Sequence, residues 1–205
     1  MTAEPLEAAT MANADRPQPS RIFIAIKIVA AIADALAQMA RGLERFQVRL
    51  VAPVDIHLTL VPPWNELSIP NAVEKLRRVV NTFDPFVLTF RHVGYGPDPK
   101  RPRLLWAECA AGREIEELRD ALLLAFGQAD ERPFRPHVTL ARLRENGAVI
   151  ARKHPIDQDI LLVQRIEFVE TMQSPPPGGS GYRVLASLRL GGNAEGTPSA
   201  AAARY

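Results

Sequence analysis

The sequence predicts an α+β fold built as two similar lobes. Three observations carry that expectation. The chain has 205 residues, enough to bury a core and to form one domain or two small lobes sharing an interface. Short apolar runs of strand type alternate with stretches of helical periodicity. The second half also echoes the first: in each, a helix leads to a strand reading His-apolar-Thr-Leu, "HLTL" at 57–60 and "HVTL" at 137–140. No fixed-period repeat exists, so a pair of lobes is expected rather than a solenoid.

The elements follow in order. "RIFIAIKI" (21–28) reads as a buried strand. Residues 30–45 place Ile32, Leu36, Met39 and Leu43 on one helical face. "DIHLTLV" (55–61) is a strand, and "PPWNELSIP" (62–70) a loop broken by prolines. A helix follows with Ile69, Val73, Leu76 and Val80. "PFVLTFRHVGYG" and "RPRLLWAECA" are two strands joined by a turn around Gly96-Pro97-Asp98-Pro99. Residues 112–127 form a helix with Ile115, Leu118, Leu122 and Phe126 inward, and "HVTLARL" is a strand. "ILLVQRIEFVETMQ" and "GYRVLASLRL" flank "SPPPGGS", a long hairpin signature. Residues 1–19 and 192–205 are polar or small-residue low complexity and are expected to be flexible tails around a folded unit at 20–191.

Composition narrows the classes of function. Apolar residues make up 47% and charged residues 23%, an ordinary soluble balance. No apolar run reaches the roughly 18 residues that a membrane helix needs, and the start of the chain lacks the apolar block of a secretory signal. The single cysteine, Cys109, excludes an internal disulfide and a cysteine-based metal cluster. A cytoplasmic monomer without membrane partners is the simplest expectation. The net charge of +2 implies no strong field for long nucleic acid. Lys27, Lys75, Lys100 and Lys153 are the only lysines, and the other 21 basic residues are arginine. Arginine suits bidentate phosphate contacts, although an Ala-, Arg- and Pro-rich composition also yields this bias.

The chemistry rests on the two short motifs. Side chains alternate faces on a strand, so His57 and Thr59 point one way while Leu58 and Leu60 enter a core. His137 and Thr139 stand in the same relation to Val138 and Leu140. Opposed lobes would aim two His/Thr pairs into one cleft. A neutral imidazole there can take a proton from an attacking water while a protonated one gives a proton to a leaving oxygen, each worth about 10²–10⁴ in rate. Histidine suits both tasks because its ordinary pKa is about 6.5. Threonine hydroxyls can donate to phosphate oxygens and hold phosphorus between the rings. One histidine on a strand is more often structural than catalytic. Two of the four histidines in this frame should arise by chance on the order of 10⁻⁵ of the time.

From Arg21 to Leu190 the chain resembles the 2H phosphoesterase superfamily, and especially the RNA 2′,3′-cyclic phosphodiesterases historically called 2′-5′ RNA ligases. The resemblance is carried by "RIFIAIKI", "HLTLV", "RPRLLWAE", "FRPHVTLAR" and the closing run around Ser174 and Tyr182. It implies two pseudo-symmetric lobes, each an antiparallel sheet with helices outside, around a central cleft. It implies hydrolysis of RNA or nucleoside 2′,3′-cyclic phosphates to 2′-phosphates without cofactor or metal, and weak 2′-5′ RNA joining as a side reaction. His57 would be the proton donor, His137 the base, Thr59 and Thr139 phosphate holders, and Arg142 a charge-assisted contact. The family's first motif usually continues Phe-Leu-Gly-Glu, whereas this chain has "VPPWNE". Trp64 is therefore read either as a base platform or as a cover for the core. The alternatives are a related phosphodiesterase for 2′-5′ linkages or small cyclic phosphates, and a non-catalytic nucleotide-binding module.

Other candidates fall away. His92 and His154 lack the threonine neighbour and sit near turn signals. Asp55 shares the face of His57 and would orient it or, less readily, join a metal site. "PPPGGSG" lacks the Lys-Ser/Thr of a phosphate-binding loop and reads as a turn. Phe134 is read as core packing ahead of a base platform.

Overall fold

The computed structural model describes residues 18–46, 48–110, 112–176 and 181–191. The two predicted tails, apart from residues 18 and 19, and most of the "SPPPGGS" turn lie outside them. Nine strands and four helices are described. In chain order they are β1 (Ser20–Lys27), α1 (Ala30–Ala40), β2 (Arg49–Leu50), β3 (His57–Glu66), α2 (Ile69–Val80), β4 (Phe86–Gly96) and β5 (Leu104–Ala110). They continue with α3 (Arg113–Phe126), β6 (His137–Arg142), α4 (Gly147–Lys153), β7 (Asp157–Ile166), β8 (Phe168–Gln173) and β9 (Arg183–Arg189).

All strand pairs are antiparallel, in the order β7-β4-β5-β6-β3-β1-β8-β9, with β2 on β6. The two lobes are therefore halves of one sheet, joined by a single pair, Leu58 of β3 opposite Val138 of β6. These are the same position in the two motifs. A pseudo-twofold passes between them, so the histidines are neighbours at the centre of the molecule.

Both faces of β1 are covered, which is why its sequence is a continuous apolar run. Ile22, Ile24 and Ile26 enter the main core with the buried residues of all four helices. Phe23 and Ala25 face the other way and pack with Met172 and Tyr182. In α3 the predicted Ile115, Leu118, Leu122 and Phe126 are all buried, and Gly127 ends the helix at φ 60°, where a side chain would be strained. The N-terminus of α2 is capped by Ser68, whose hydroxyl accepts from Asn71 N at 3.4 Å.

The chain departs from the expected elements in three places. First, α1 stops at Ala40 and tightens into a 3₁₀ turn over Arg41–Leu43, which still buries Leu43. Second, Pro62 and Pro63 do not break into a loop; they belong to β3. They fit because β3 carries an extra residue there (Ile22 opposes Trp64 but Ile24 opposes Val61), and a bulge tolerates the missing N–H groups. Third, "ILLVQRIEFVETMQ" is two strands. β8 pairs β9 as the hairpin signature requires, but β7 pairs β4 on the opposite edge of the sheet. Only Glu167 separates β7 from β8, so the sheet folds back until its ends meet. Gln164 of β7 ties the halves together, donating to Lys27 O at 3.0 Å and accepting from Val29 N at 3.1 Å. The short β2 and α4 had no sequence signal strong enough to predict.

Candidate active site

On each side of the Leu58–Val138 pair, one irregularity shapes the site. Ala25 opposes Thr59 and Ile24 opposes Val61, leaving Leu60 as an unpaired extra residue. Trp106 opposes Thr139 and Leu105 opposes Ala141, leaving Leu140 in the same condition. Each bulge puts two consecutive residues into the core, Leu60-Val61 and Leu140-Ala141. The residue after them consequently turns to the opposite face. Strict alternation would send Arg142, five positions after His137, into the core; the bulge returns it to the cleft. Pro62 occupies the matching position in the other lobe. The cation at one of two equivalent positions breaks the symmetry of the site.

His57, Thr59, His137, Thr139 and Arg142 all line one cavity of about 610 Å³. All five predicted site residues are thus brought together. Each imidazole is fixed in the same way: His57 Nδ1 lies 2.6 Å from Asp55 O, and His137 Nδ1 lies 2.6 Å from Arg135 O. A carbonyl oxygen only accepts, so Nδ1 carries the proton in both rings and Nε2 is left for chemistry. Aromatic rings hold the imidazoles from behind. Phe23 and Tyr182 lie 5.0 and 4.9 Å from His57 by ring centroids, and Trp106 lies 4.4 Å from His137.

Burial pushes the pKa of both histidines below the ordinary value, and it is the largest cause for each. At His57 the Asp55 carbonyl opposes this, Arg142 adds to it, and the Asp55 carboxylate opposes it. At His137 the Arg135 carbonyl opposes burial, the Arg135 guanidinium adds to it, Glu108 opposes it and Arg142 adds to it. In the structure Arg142 favours the neutral form of both rings. The free site therefore does not single out an acid.

Other residues resolve differently from their sequence reading. The carbonyl of Asp55 orients His57, whereas its carboxylate accepts from Tyr182 N at 3.0 Å. No group of three or more His, Cys, Asp or Glu able to hold a metal occurs among the described residues. Trp64 covers the core: its ring lies 5.0 Å from Phe126, and its Nε1 donates to Glu66 at 3.1 Å. It does not line the cavity, whereas Pro62 and Pro63 do. Phe134 packs under the Arg119 guanidinium at 4.6 Å and also lines the cavity, so it has both suggested settings. His92 meets Asp157 and His154 meets Arg45, both away from the cavity. Sequence reasoning missed the supporting roles of Phe23, Trp106 and Tyr182. Phe23 and Trp106 stand on strands that flank the motifs, and a register for those strands was the missing information.

A folded-back antiparallel sheet with paired His-x-Thr strands at its pseudo-twofold defines a class of phosphoesterase, and this chain belongs to it. Residues 34–160 match the model of the 2′-5′ RNA ligase superfamily. Among its relatives are the RNA 2′,3′-cyclic phosphodiesterase of Bacillus subtilis (32% identical, covering 58% of this chain and 69% of that protein) and that of Archaeoglobus fulgidus (26%, 64% and 77%). Solved structures similar in fold include TT0787 of Thermus thermophilus, with a TM-score of 0.69 and 24% identity over 84% of this chain and 98% of that one. Escherichia coli LigT complexed with 3′-AMP superposes with a TM-score of 0.66 and 22% identity over 84% and 99%. At these identities the structural likeness is one of fold. None of the described helices is long and apolar enough to cross a membrane.

Proposed function

We propose that the chain hydrolyses RNA or nucleoside 2′,3′-cyclic phosphates to 2′-phosphates, with its two histidines as acid and base. The observation that carries this reading is the matched pair of imidazoles, each held by Nδ1 on the carbonyl two residues upstream and each with Nε2 free in one cavity. A binding module has no use for two such proton-transfer groups. The relatives' names point to the same substrate class.

In the proposed reaction, water attacks phosphorus opposite the O3′ atom. His137 Nε2 takes the proton of that water as the P–O bond forms. The P–O3′ bond breaks, and His57 Nε2 gives its proton to O3′. The products are a 2′-phosphate and a free 3′-hydroxyl, and the strained ring supplies the driving force. Thr59, Thr139 and Arg142 hold the non-bridging oxygens and balance the charge that builds on them. The assignment of donor and base follows the family resemblance. No step needs a metal, and the five residues come from one chain, in keeping with a monomer. We place the enzyme in the cytoplasm, as its cysteine-poor composition suggests.

The test is turnover of a panel of 2′,3′-cyclic, 3′,5′-cyclic and 2′-5′-linked phosphodiesters in EDTA, with the phosphate position read by phosphorus NMR. Conversion of the 2′,3′-cyclic substrates to 2′-phosphates alone is expected. Formation of 3′-phosphates, or activity that EDTA abolishes and added metal restores, contradicts the mechanism.

A further inference from the structure

We propose that Arg49 holds the phosphodiester immediately 5′ of the cyclic-phosphate nucleotide, so that the preferred substrate is the 3′ end of an RNA strand. This deepens the hydrolysis reading above and rests on it. The observation is a cross-strand pair: Arg49 of β2 stands directly opposite Arg142 of β6. Residues opposed in an antiparallel pair project to the same face, and here that is the cleft face, since Arg142 lines the cavity. Val51, two positions after Arg49, lines the same cavity. Arg49 thus lies on the cleft side, one strand further out than Arg142, and is exposed.

Like charges directly opposed across a strand pair repel. No carboxylate relieves them, because neither arginine has an ion-pair partner among the described residues. The other arginines around the cavity are committed. Arg119 and Arg132 bind Asp130, and Arg135 binds Glu108. Arg142 is therefore the one uncommitted arginine lining the cavity, and Arg49, outside the lining but opposite it on the next strand, extends that charge beyond the cavity's edge. Their strands run about 4.8 Å apart, and two long, like-charged side chains that repel each other suit two successive phosphates better than one. Arginine's planar fork also suits the paired oxygens of a phosphodiester. The strand polarity follows from chemistry. A cyclic phosphate terminates the RNA at its 3′ side, so the only neighbouring phosphate lies 5′ of the terminal nucleoside.

Three probes test this: a nucleoside 2′,3′-cyclic phosphate, the dinucleotide ending in the same group, and that dinucleotide with an uncharged methylphosphonate link. The wild-type protein should show a kcat/KM about tenfold higher for the charged dinucleotide than for the mononucleoside. The neutral dinucleotide should resemble the mononucleoside. Added salt should shrink the advantage. In Arg49→Ala the dinucleotide-to-mononucleoside ratio should fall to near one, and Arg49→Lys should keep part of it. A wild-type ratio near one overturns the proposal, as does a ratio that survives Arg49→Ala or an equal advantage for the neutral link. No wild-type turnover of any probe overturns the hydrolysis reading and the subsite with it, a result distinct from turnover without discrimination.

Discussion

His57 and His137 are chemically equivalent residues in nearly equivalent settings, and in the proposed reaction it is the substrate that makes them differ. Burial lowers both pKa values below 6.5, so in the free protein the protonated form needed for the acid is already declining as pH rises toward 6.5. The alkaline limb of kcat/KM should therefore lie on the acid side of 6.5. A bound phosphate anion favours imidazolium and raises the pKa of the donor, so the alkaline limb of kcat should lie higher than that of kcat/KM. Arg142 lowers both rings. Its removal in Arg142→Ala should shift both limbs of the kcat/KM profile to higher pH while weakening substrate binding. Movement of one limb alone would mean that Arg142 serves a single ring, the role that its nearness in sequence to His137 suggests. Full pH profiles of wild type and variant decide between these.

At the scale of elements, the legible and illegible parts separate along a physical line. Helix α3 was readable because its four inward residues recur at helical spacing and bury as that spacing demands. The two motifs were readable because His and Thr two apart share a face on any strand. Pairing was not readable. The bulges at Leu60 and Leu140, which bring Pro62 and Arg142 to the cleft, depend on neighbouring strands far away in sequence. The same holds for β7, which no local pattern assigns to β4 rather than β9. Prolines at 62 and 63 suggested a loop because the bulge that accommodates them is likewise a pairing feature. Trp64 gives this a test. Because it packs on Phe126 and caps Glu66, Trp64→Ala should destabilise the fold by about 2–4 kcal/mol. The kcat/KM of the folded variant should change little. Urea unfolding with parallel kinetics checks this; a KM rise without loss of stability would instead indicate a base-stacking role.

The described strands form one sheet bent back on itself, and the proposed function rests on the meeting of its halves at Leu58 and Val138. Duplication of a strand motif creates a symmetric pocket, and Arg142 against Pro62 makes that pocket asymmetric. Loss of either histidine should cost roughly 10²–10⁴ in turnover. The double variant should lose little more than the worse single one, because both rings serve one cycle in the proposed mechanism. The measurement that bears most directly on the central claim replaces the leaving O3′ by sulfur. A thiolate leaves without being protonated, so this substrate dispenses with the acid but still needs the base. The account predicts that His57→Ala, severely impaired on the oxygen substrate, falls within about tenfold of wild type on the sulfur one, the acid's 10²–10⁴ contribution being no longer required. His137→Ala should remain impaired on both. Equal impairment of the two variants on the sulfur substrate, or recovery of His137→Ala alone, would contradict the assigned division of labour between the two histidines.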